Sequence, residues 1–252
     1  MLPQERYDAI LKLLQKDSII KVENLVSSFH ISIETARRDL NYLEKQGLIK
    51  KVYGGATLVE KGIAEPTSRS RLIHNIEQKA AIGRKCSELI QDGDSILLEI
   101  GTTTLQVAKN IKHKKNLTVI TNSIFVINEL LDTDISLYII GGKIRHEEQA
   151  ISGAVSMFEL DNFHINKAII GAGSISLENG ISDYNIEEAL MRKKIIERSR
   201  QVIIVADSSK FGFDALVQVC PLSSINTIIT DRNLDPSIIL GFEELQTKLL
   251  LV

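Results

Sequence analysis

The chain of 252 residues allows one large or two smaller domains. Hydrophobic residues make up 44% and charged residues 25%, with a formal net charge of −2. That balance is ordinary for a globular protein and excludes a polycation, so any binding to nucleic acid must be local. The sequence holds no long apolar run and does not begin with a basic stretch ahead of an apolar core. It therefore predicts neither a membrane span nor a signal peptide, and a cytoplasmic setting. Cys86 and Cys220 lie in apolar surroundings and read as buried thiols. His30, His74, His113, His146 and His164 show no ligand spacing, so neither a metal nor another cofactor is called for.

The N-terminal stretch reads as three helices. Tyr7, Ile10, Leu11 and Leu14 have helical spacing behind Pro3, and Val22, Leu25, Val26 and Phe29 repeat it. Only His30 and Ile31 separate Phe29 from Ser32, a good N-cap for a third helix that runs to Gln46 and stops at Gly47. In this helix Ala36, Leu40 and Leu43 form one apolar stripe. Glu34, Arg38, Asn41 and Lys45 occupy the other face, with Arg37 on its flank and Thr35 near its start. Two short helices joined by so tight a turn, the second capped and basic, read as a helix-turn-helix. After Gly47, two β-prone runs around Gly54-Gly55 signal a hairpin and so a wing, with Lys50 and Lys51 at its base. Residues 1–57 are thus read as a winged helix-turn-helix. They carry nine Lys/Arg against seven Asp/Glu, a modest excess. Clustering on one face matters more than the sum for phosphate contacts. The candidate DNA-facing residues are Ser32, Glu34, Thr35, Arg37, Arg38 and Asn41 on the helix, and Lys50, Lys51 and Tyr53 on the wing.

Residues 58–75 break the pattern. Pro66, Thr67, Ser68 and Ser70 punctuate a polar stretch with Arg69 and Arg71, read as a linker whose arginines either touch DNA or an acidic patch on the large domain or, as the preferred reading, are solvated. From residue 76 to 252, short apolar strands near Ile96–Ile100, Leu117–Ile120, Ser136–Ile140, Ala168–Ile170, Val202–Val205 and Thr227–Ile229 alternate with helices. Such alternation predicts a mostly parallel sheet covered on both faces. Leu249–Val252 reads either as a last strand or as part of a subunit interface.

In open sheets of this kind ligands bind outside the carboxyl ends of the strands. Five such ends carry small or polar turns. These are Gly101-Thr102-Thr103-Thr104, Thr121-Asn122-Ser123, Gly141-Gly142, Gly171-Ala172-Gly173 and Asp207-Ser208-Ser209-Lys210. The first also opens a helix, whose free N–H groups and dipole suit a phosphate. Glu99 ends an apolar strand and needs a partner or a ligand hydroxyl. Lys193 falls in the stripe Ile186–Ala189–Leu190 of its helix, where it either pairs with Glu197 or reaches an anion in the cleft. Lys210 is a second candidate cation. The candidate effector set is therefore Glu99, Gly101, Thr102, Thr103, Thr104, Thr121, Asn122, Ser123, Gly141, Gly142, Gly171, Gly173, Lys193, Asp207 and Lys210.

Thr35-Ala36-Arg37-Arg38-Asp39-Leu40, Leu43-Glu44, Gly47 and Gly54-Gly55-Ala56 resemble the N-terminal signature of the DeoR family of bacterial transcriptional regulators. The stretch Asp92–Thr104, with Thr121-Asn122-Ser123, Gly141-Gly142, Gly153, Gly171-Ala172-Gly173, Gly180 and Asp207-Ser208-Ser209-Lys210-Phe211, is similar to that family's sensor domain, so the resemblance is nearly full length. Ala36, Lys51 and Tyr53 depart mildly from the family pattern, and Glu99 stands where Asp is usual, a change that bears on which hydroxyl is read. The resemblance implies a sensor fold like ribose-5-phosphate isomerase, Thr35, Arg37 and Arg38 at double-stranded operator DNA, and a phosphorylated sugar as effector. It implies repression of a sugar-metabolism operon, relieved by that effector. The alternative is a sugar-phosphate isomerase with an appended DNA-binding domain. Proton transfer between adjacent carbons needs a positioned carboxylate base, and Gly171-Ala172-Gly173 offers none where such isomerases have an acidic turn. Selective binding in a genome needs more than one short site, so a homo-oligomer, dimer or tetramer, is expected.

Overall fold

A computed structural model describes residues 2–17, 19–58, 65 and 67–252, and the chain divides into two compact units, Met1–Ser70 and Arg71–Val252. Pro66 of the expected linker lies outside the described residues. In the first unit, α1 (Pro3–Asp17), α2 (Val22–Phe29) and α3 (Ile33–Lys45) close on one core. Ile10 and Leu14 meet Leu25, Ala36, Leu40, Leu43 and Ile49 there. These are the apolar stripes expected from the spacing. Ser32 caps α3 by accepting the Thr35 N–H at 3.1 Å. The wing is β2 (Ile49–Val52) paired antiparallel with β3 (Gly55–Leu58).

Two features of this unit were not legible beforehand. A three-residue strand, β1 (Ile19–Lys21), pairs with the other side of β3, so the sheet order is β1-β3-β2. It is too short for an alternation signal. It also accounts for Gly55: a Cβ there would sit 2.1 Å from the Ile20 carbonyl oxygen, inside any allowed contact. Secondly, Arg6 of α1 forks onto Asp39 of α3, with Nε and one terminal nitrogen donating at 2.6 and 2.9 Å. Asp39 is 1% exposed. The paired hydrogen bond raises the Arg6 pKa further above its ordinary value, against the opposing cost of burial. Beside this pair Tyr7 and Tyr42 stack with ring centroids 4.5 Å apart.

The second unit is an α/β domain. In chain order it runs α4 (Ser68–Ile73, whose start belongs to the first unit), α5 (Ile76–Glu88), β4 (Ser95–Leu98), α6 (Thr102–Ile111), β5 (Thr118–Thr121), α7 (Ile124–Leu130) and β6 (Ser136–Ile139). A hairpin, β7 (Lys143–Arg145) and β8 (Ala150–Ser152), leads to α8 (Ala154–Glu159) and β9 (Ile165–Ile170). Then come β10 (Ser174–Ser176), β11 (Gly180–Asp183), α9 (Ile186–Glu197), β12 (Ser199–Val205), β13 (Val217–Cys220), β14 (Thr227–Thr230), α10 (Pro236–Glu243) and β15 (Lys248–Leu251). Among the described residues, seven strands form one sheet in the order β15-β14-β12-β9-β4-β5-β6, every pair parallel. Alternate side chains feed two cores, one on each face. Leu97, Ile120, Ala168, Ile204 and Ile228 pack on one side, and Ile96, Leu98, Val119, Ile169, Ile203 and Ile229 on the other. No helix among the described residues is long and apolar enough to cross a membrane. Cys86 and Cys220 are buried thiols, and burial pushes Cys86 up to about 12.

Two expectations change here. Residues 68–73 form a helix, α4, in which Ser68 and Ser70 are buried. Arg71 is not solvated; it pairs with the buried carboxylate of Glu148. Leu249–Val252 contributes to the last strand, parallel to β14, with Leu249 and Leu251 against one core and Leu250 and Val252 against the other. The small antiparallel sheet β10-β11-β13 and the β7-β8 hairpin escaped notice because runs of three or four residues carry too little periodicity.

Removing one partner of a buried ion pair leaves an uncompensated charge and costs about 3–5 kcal/mol. Asp39→Ala should therefore speed hydrogen exchange across Pro3–Asp17 and Ile33–Lys45 while leaving exchange in the seven-stranded sheet unchanged. Unaltered protection in both helices would show that the pair is dispensable.

Candidate functional site

The central strands β12, β9 and β4 end side by side, and their following turns line a cavity of about 30 Å³. Its wall is Ile100–Thr103 after β4, Gly171-Ala172 after β9 and Val205–Asp207 after β12. Gly101 precedes α6 with φ 148° and ψ 155°, a conformation open essentially to glycine alone. The first helical bond runs from the Leu105 N–H to the Gly101 carbonyl. The N–H groups of Thr102, Thr103 and Thr104 are thus the orphan donors of the helix start. Thr104 turns its hydroxyl back to the Gly101 carbonyl at 2.8 Å. Thr102 and Thr103 line the cavity.

Four cations converge on this helix start: Arg71, Lys79, Arg192 and Lys210. Arg192 is held deepest. Its Nε donates to Glu99 at 2.9 Å, and its terminal nitrogen pairs with Asp183 at the end of β11. Glu99 is 1% exposed, and the Gly171 N–H donates to its other oxygen at 3.3 Å. Burial raises the Glu99 pKa, and the Arg192 charge opposes the rise. Lys79 of α5 donates to the carbonyls of Arg71 and His74 at 2.5 and 2.7 Å and lies 4.0 Å from Asp207. Its burial pulls the ammonium pKa down from 10.5 to about 8, against the attraction of Asp207. Asp207 also accepts from the Asn75 amide at 2.9 Å and from the Ser209 hydroxyl at 2.5 Å.

Of the residues singled out in the sequence, the structure gathers Gly101, Thr102, Thr103, Gly171, Asp207 and Lys210 at the cavity, with Glu99 directly beneath through Arg192. The others hold strand ends together. Thr121 donates its hydroxyl to the Leu98 carbonyl at 2.6 Å, Asn122 its amide to the Ile151 carbonyl at 3.2 Å, and Ser123 caps α7. The Gly141 N–H donates to Glu159 at 2.7 Å, Gly142 packs on Ser152 and Ser156, and Gly173 on Ser182 and Asp183. Lys193 does not line the cavity, and its charge acts on the Cys220 thiol. The reason lies in the rotation of α9. Its buried face is Glu188, Ala189, Met191, Arg192 and Ile195, while Ile186 and Leu190 point outward. The stripe read from the sequence was one residue out of phase. Arg71, Lys79 and Arg192 were missed, and Lys79 gave no signal because a lysine on a mixed helix face looks like any solvated one.

In the first unit, Glu34, Arg37, Arg38 and Asn41 form an exposed face of α3, with Lys50, Lys51 and Tyr53 exposed on the wing. Ser32 and Thr35 share a hydroxyl–hydroxyl hydrogen bond of 3.0 Å at the helix start. Lys51 is tied back to α3, donating to Asn41 at 2.7 Å and pairing with Glu44 at 3.0 Å. That pairing pulls the Glu44 carboxyl below its ordinary value. A groove of about 410 Å³ opens between helix and wing, lined by Ile33, Arg37, Asn41, Lys51 and Val52.

Residues 6–62 match the model of the DeoR-like helix-turn-helix domain, and residues 74–232 that of the DeoR C-terminal sensor domain. The HTH-type transcriptional repressor GlcR of Bacillus subtilis is 37% identical over 92% of this chain and 90% of its own. The glycerol-3-phosphate regulon repressor of Escherichia coli is 32% identical over 90% of each chain. Among solved structures, ribose 5-phosphate isomerase from Plasmodium falciparum is 19% identical, with TM-score 0.40 over 53% of this chain and 52% of that one.

The lowered Lys79 value has two measurable consequences. Between about pH 8 and 10.5 the unfolded chain holds the proton that the folded one has released, so this group's contribution to stability should rise with pH across that window. An anion in the cavity needs the charged ammonium. Affinity for inorganic phosphate, titrated calorimetrically, should therefore fall as pH rises through about 8, and Lys79→Met should flatten that profile.

Proposed function

Since the chain belongs to the DeoR family of transcriptional regulators, we propose that it is a repressor whose hold on operator DNA is relieved by a phosphorylated sugar. It is a DNA-binding regulator and not an enzyme. The reading as an isomerase also meets a chemical obstacle. The two carboxylates nearest the cavity are engaged, Glu99 by Arg192 and Asp207 by Asn75 and Ser209, so neither stands ready as a base.

The observation that carries the effector reading is the meeting of four cations with the start of α6. Orphan N–H groups and the helix dipole favour an anion there. The Thr102 and Thr103 hydroxyls suit the oxygens of a phosphate, and the small size of the turns suits a compact sugar. At about 30 Å³ the cavity holds little more than a water molecule. A sugar phosphate therefore has to draw Arg71 away from Glu148 or swing Lys210 outward. Arg71 belongs to α4, on the path of the chain to the DNA-binding unit, and Lys79 clasps the carbonyls of Arg71 and His74. Ligand binding thus competes with the Glu148 pair for Arg71, which provides the differential affinity that any switch needs. In this reading the protein works in the cytoplasm, as a homo-oligomer that sets two winged helices on half-sites about one helical turn, or a multiple, apart.

On the DNA side, α3 lies in the major groove with Thr35, Arg37 and Arg38 toward the bases, and Lys50 meets the phosphate backbone. Lys51 holds Asn41 and Glu44, and so sets the angle of the wing.

Arg38→Ala should cost about 1–3 kcal/mol on the specific operator and relax its sequence preference, whereas Lys50→Ala should weaken all sequences alike and lower the salt slope by about one. Unchanged operator selectivity in Arg38→Ala, measured by gel shift, would refute the placement of α3. For the effector, thermal-shift screening of a sugar-phosphate panel should find a ligand that adds about 2.7 kcal/mol at 100 times its dissociation constant. Thr103→Val should weaken that ligand without altering DNA binding in its absence. Glu148→Gln, by releasing Arg71, should tighten it; equal affinity in wild type and both variants would remove the cavity from consideration.

A further inference from the structure

The two edges of the large sheet are unlike. At one edge β15 carries Lys248, and the rest of its side chains pack into the cores. At the other edge, β6 reads Ser-Leu-Tyr-Ile, with no charge and no proline. Its only pairing among the described residues is with β5. The N–H groups of Ser136 and Ile140 donate to Leu117 and Thr121 on the β5 side. Strand alternation then turns the N–H and C=O groups of Leu137 and Ile139 to the open side. Long, uncharged, apolar edges are templates for pairing, and natural sheets normally blunt or cover them.

The surroundings of this edge are apolar too. Tyr138 and Ile139 are each 50% exposed, Leu131 before the strand 65%, and Val155 and Phe158 on α8 59% and 73%. Helix α8 is fastened to the end of β6, since Ser156 and Glu159 bond the Gly141 backbone. Tyr138 meets Phe163 edge-on at 5.6 Å. At roughly 100 Å² each, these five side chains supply about 500 Å² of the about 800 Å² that each partner gives a standard interface. Tyr138 and Ile139 alternate to opposite faces of the edge, so this apolar surface flanks the open strand on both sides and marks it as a contact surface.

We propose that β6 is the seam between two copies of this chain, paired antiparallel about a two-fold axis at Tyr138. It rests on the self-association proposed above and gives it a surface. In this register Leu137 of one copy exchanges reciprocal hydrogen bonds with Ile139 of the other, Tyr138 faces its own copy, and the two sheets become one. The Val155–Phe158 faces of the two α8 helices meet above Tyr138. Charge agrees with the register. Asp132 and Asp134 precede β6, Lys143 follows it, and all three are exposed and absent from the ion pairs of the described residues. In this register Asp134 of one copy falls opposite Gly142 of the other, one residue from Lys143, twice by symmetry. A parallel arrangement would bring like charges together.

The test is register-specific and uses the full chain without DNA. Light scattering should give a dimer rather than the 28.1 kDa monomer. Asp134→Lys and Lys143→Asp should each raise the dimer dissociation constant about tenfold, and the double exchange should restore it. Non-hydrogen-bonded antiparallel neighbours have Cα atoms about 4.5 Å apart, within disulfide reach. Tyr138→Cys should therefore cross-link on oxidation to a band of about 56 kDa, twice the chain mass. Ile139→Cys, opposed to Leu137 and offset from its own copy, should not. Because Cys86 and Cys220 are buried, they contribute no background. Circular dichroism melting of each variant separates a lost interface from a lost fold. A dimer that ignores the charge exchange, or cross-links equally through both cysteines, overturns this surface and leaves self-association standing; a monomer at all concentrations overturns both.

Discussion

One buried guanidinium organises the sensor domain. Arg192 sits between Glu99 and Asp183, and so joins α9 to the ends of β4 and β11 at the point where the strand-end turns converge. Taking three charges out of water is costly unless each finds good geometry. Here Glu99 also receives the Gly171 N–H, so the turn after β9 is drawn into the same arrangement. The floor of the cavity is therefore held by bonds within the fold itself. The rim differs in kind. Arg71 is committed to Glu148, and Lys79 to backbone carbonyls, by contacts that an anion could replace. A rigid floor under an exchangeable rim suits a sensor better than a catalyst, which would need its acid–base groups fixed as well.

The sequence was most legible where glycine and hydroxyl residues cluster at a strand-to-helix turn. Gly101–Thr103 line the cavity, in keeping with an expectation drawn from a helix start of that composition after a parallel strand. The remaining strand-end turns have the same composition for another reason. Thr121, Asn122 and Ser123 bond neighbouring backbone, and Gly141 receives Glu159, so their polarity is consumed within the fold. Arg192 stayed hidden because α9 buries charge on its inner face and exposes Ile186 and Leu190, which reverses the usual inference from an apolar stripe. Strands of three residues, such as β1 and β10, fall below the length at which periodicity speaks at all.

The winged helix shows how a nearly neutral domain presents a basic face. Arg6, a cation counted in its modest excess, is internal and neutralised by Asp39. Lys51 is partly neutralised by Glu44 while it braces the wing. What remains outward on α3 and β2 is Arg37, Arg38, Lys45 and Lys50, concentrated on one face with Glu34 among them. The internal pairs orient the helices and leave the outward cations exposed.

The contact between β1 and the wing restricts how this protein can change over time. With the Ile20 carbonyl oxygen 2.1 Å from where a Cβ would be, position 55 admits no other residue while β1 stays paired to β3. A lineage could substitute the wing's tip, its cations and even its length at little structural expense, but exchanging that glycine would first require the short strand to leave. Change in this chain is therefore channelled around a fixed point set by backbone proximity alone, whatever side chains the tip of the wing carries.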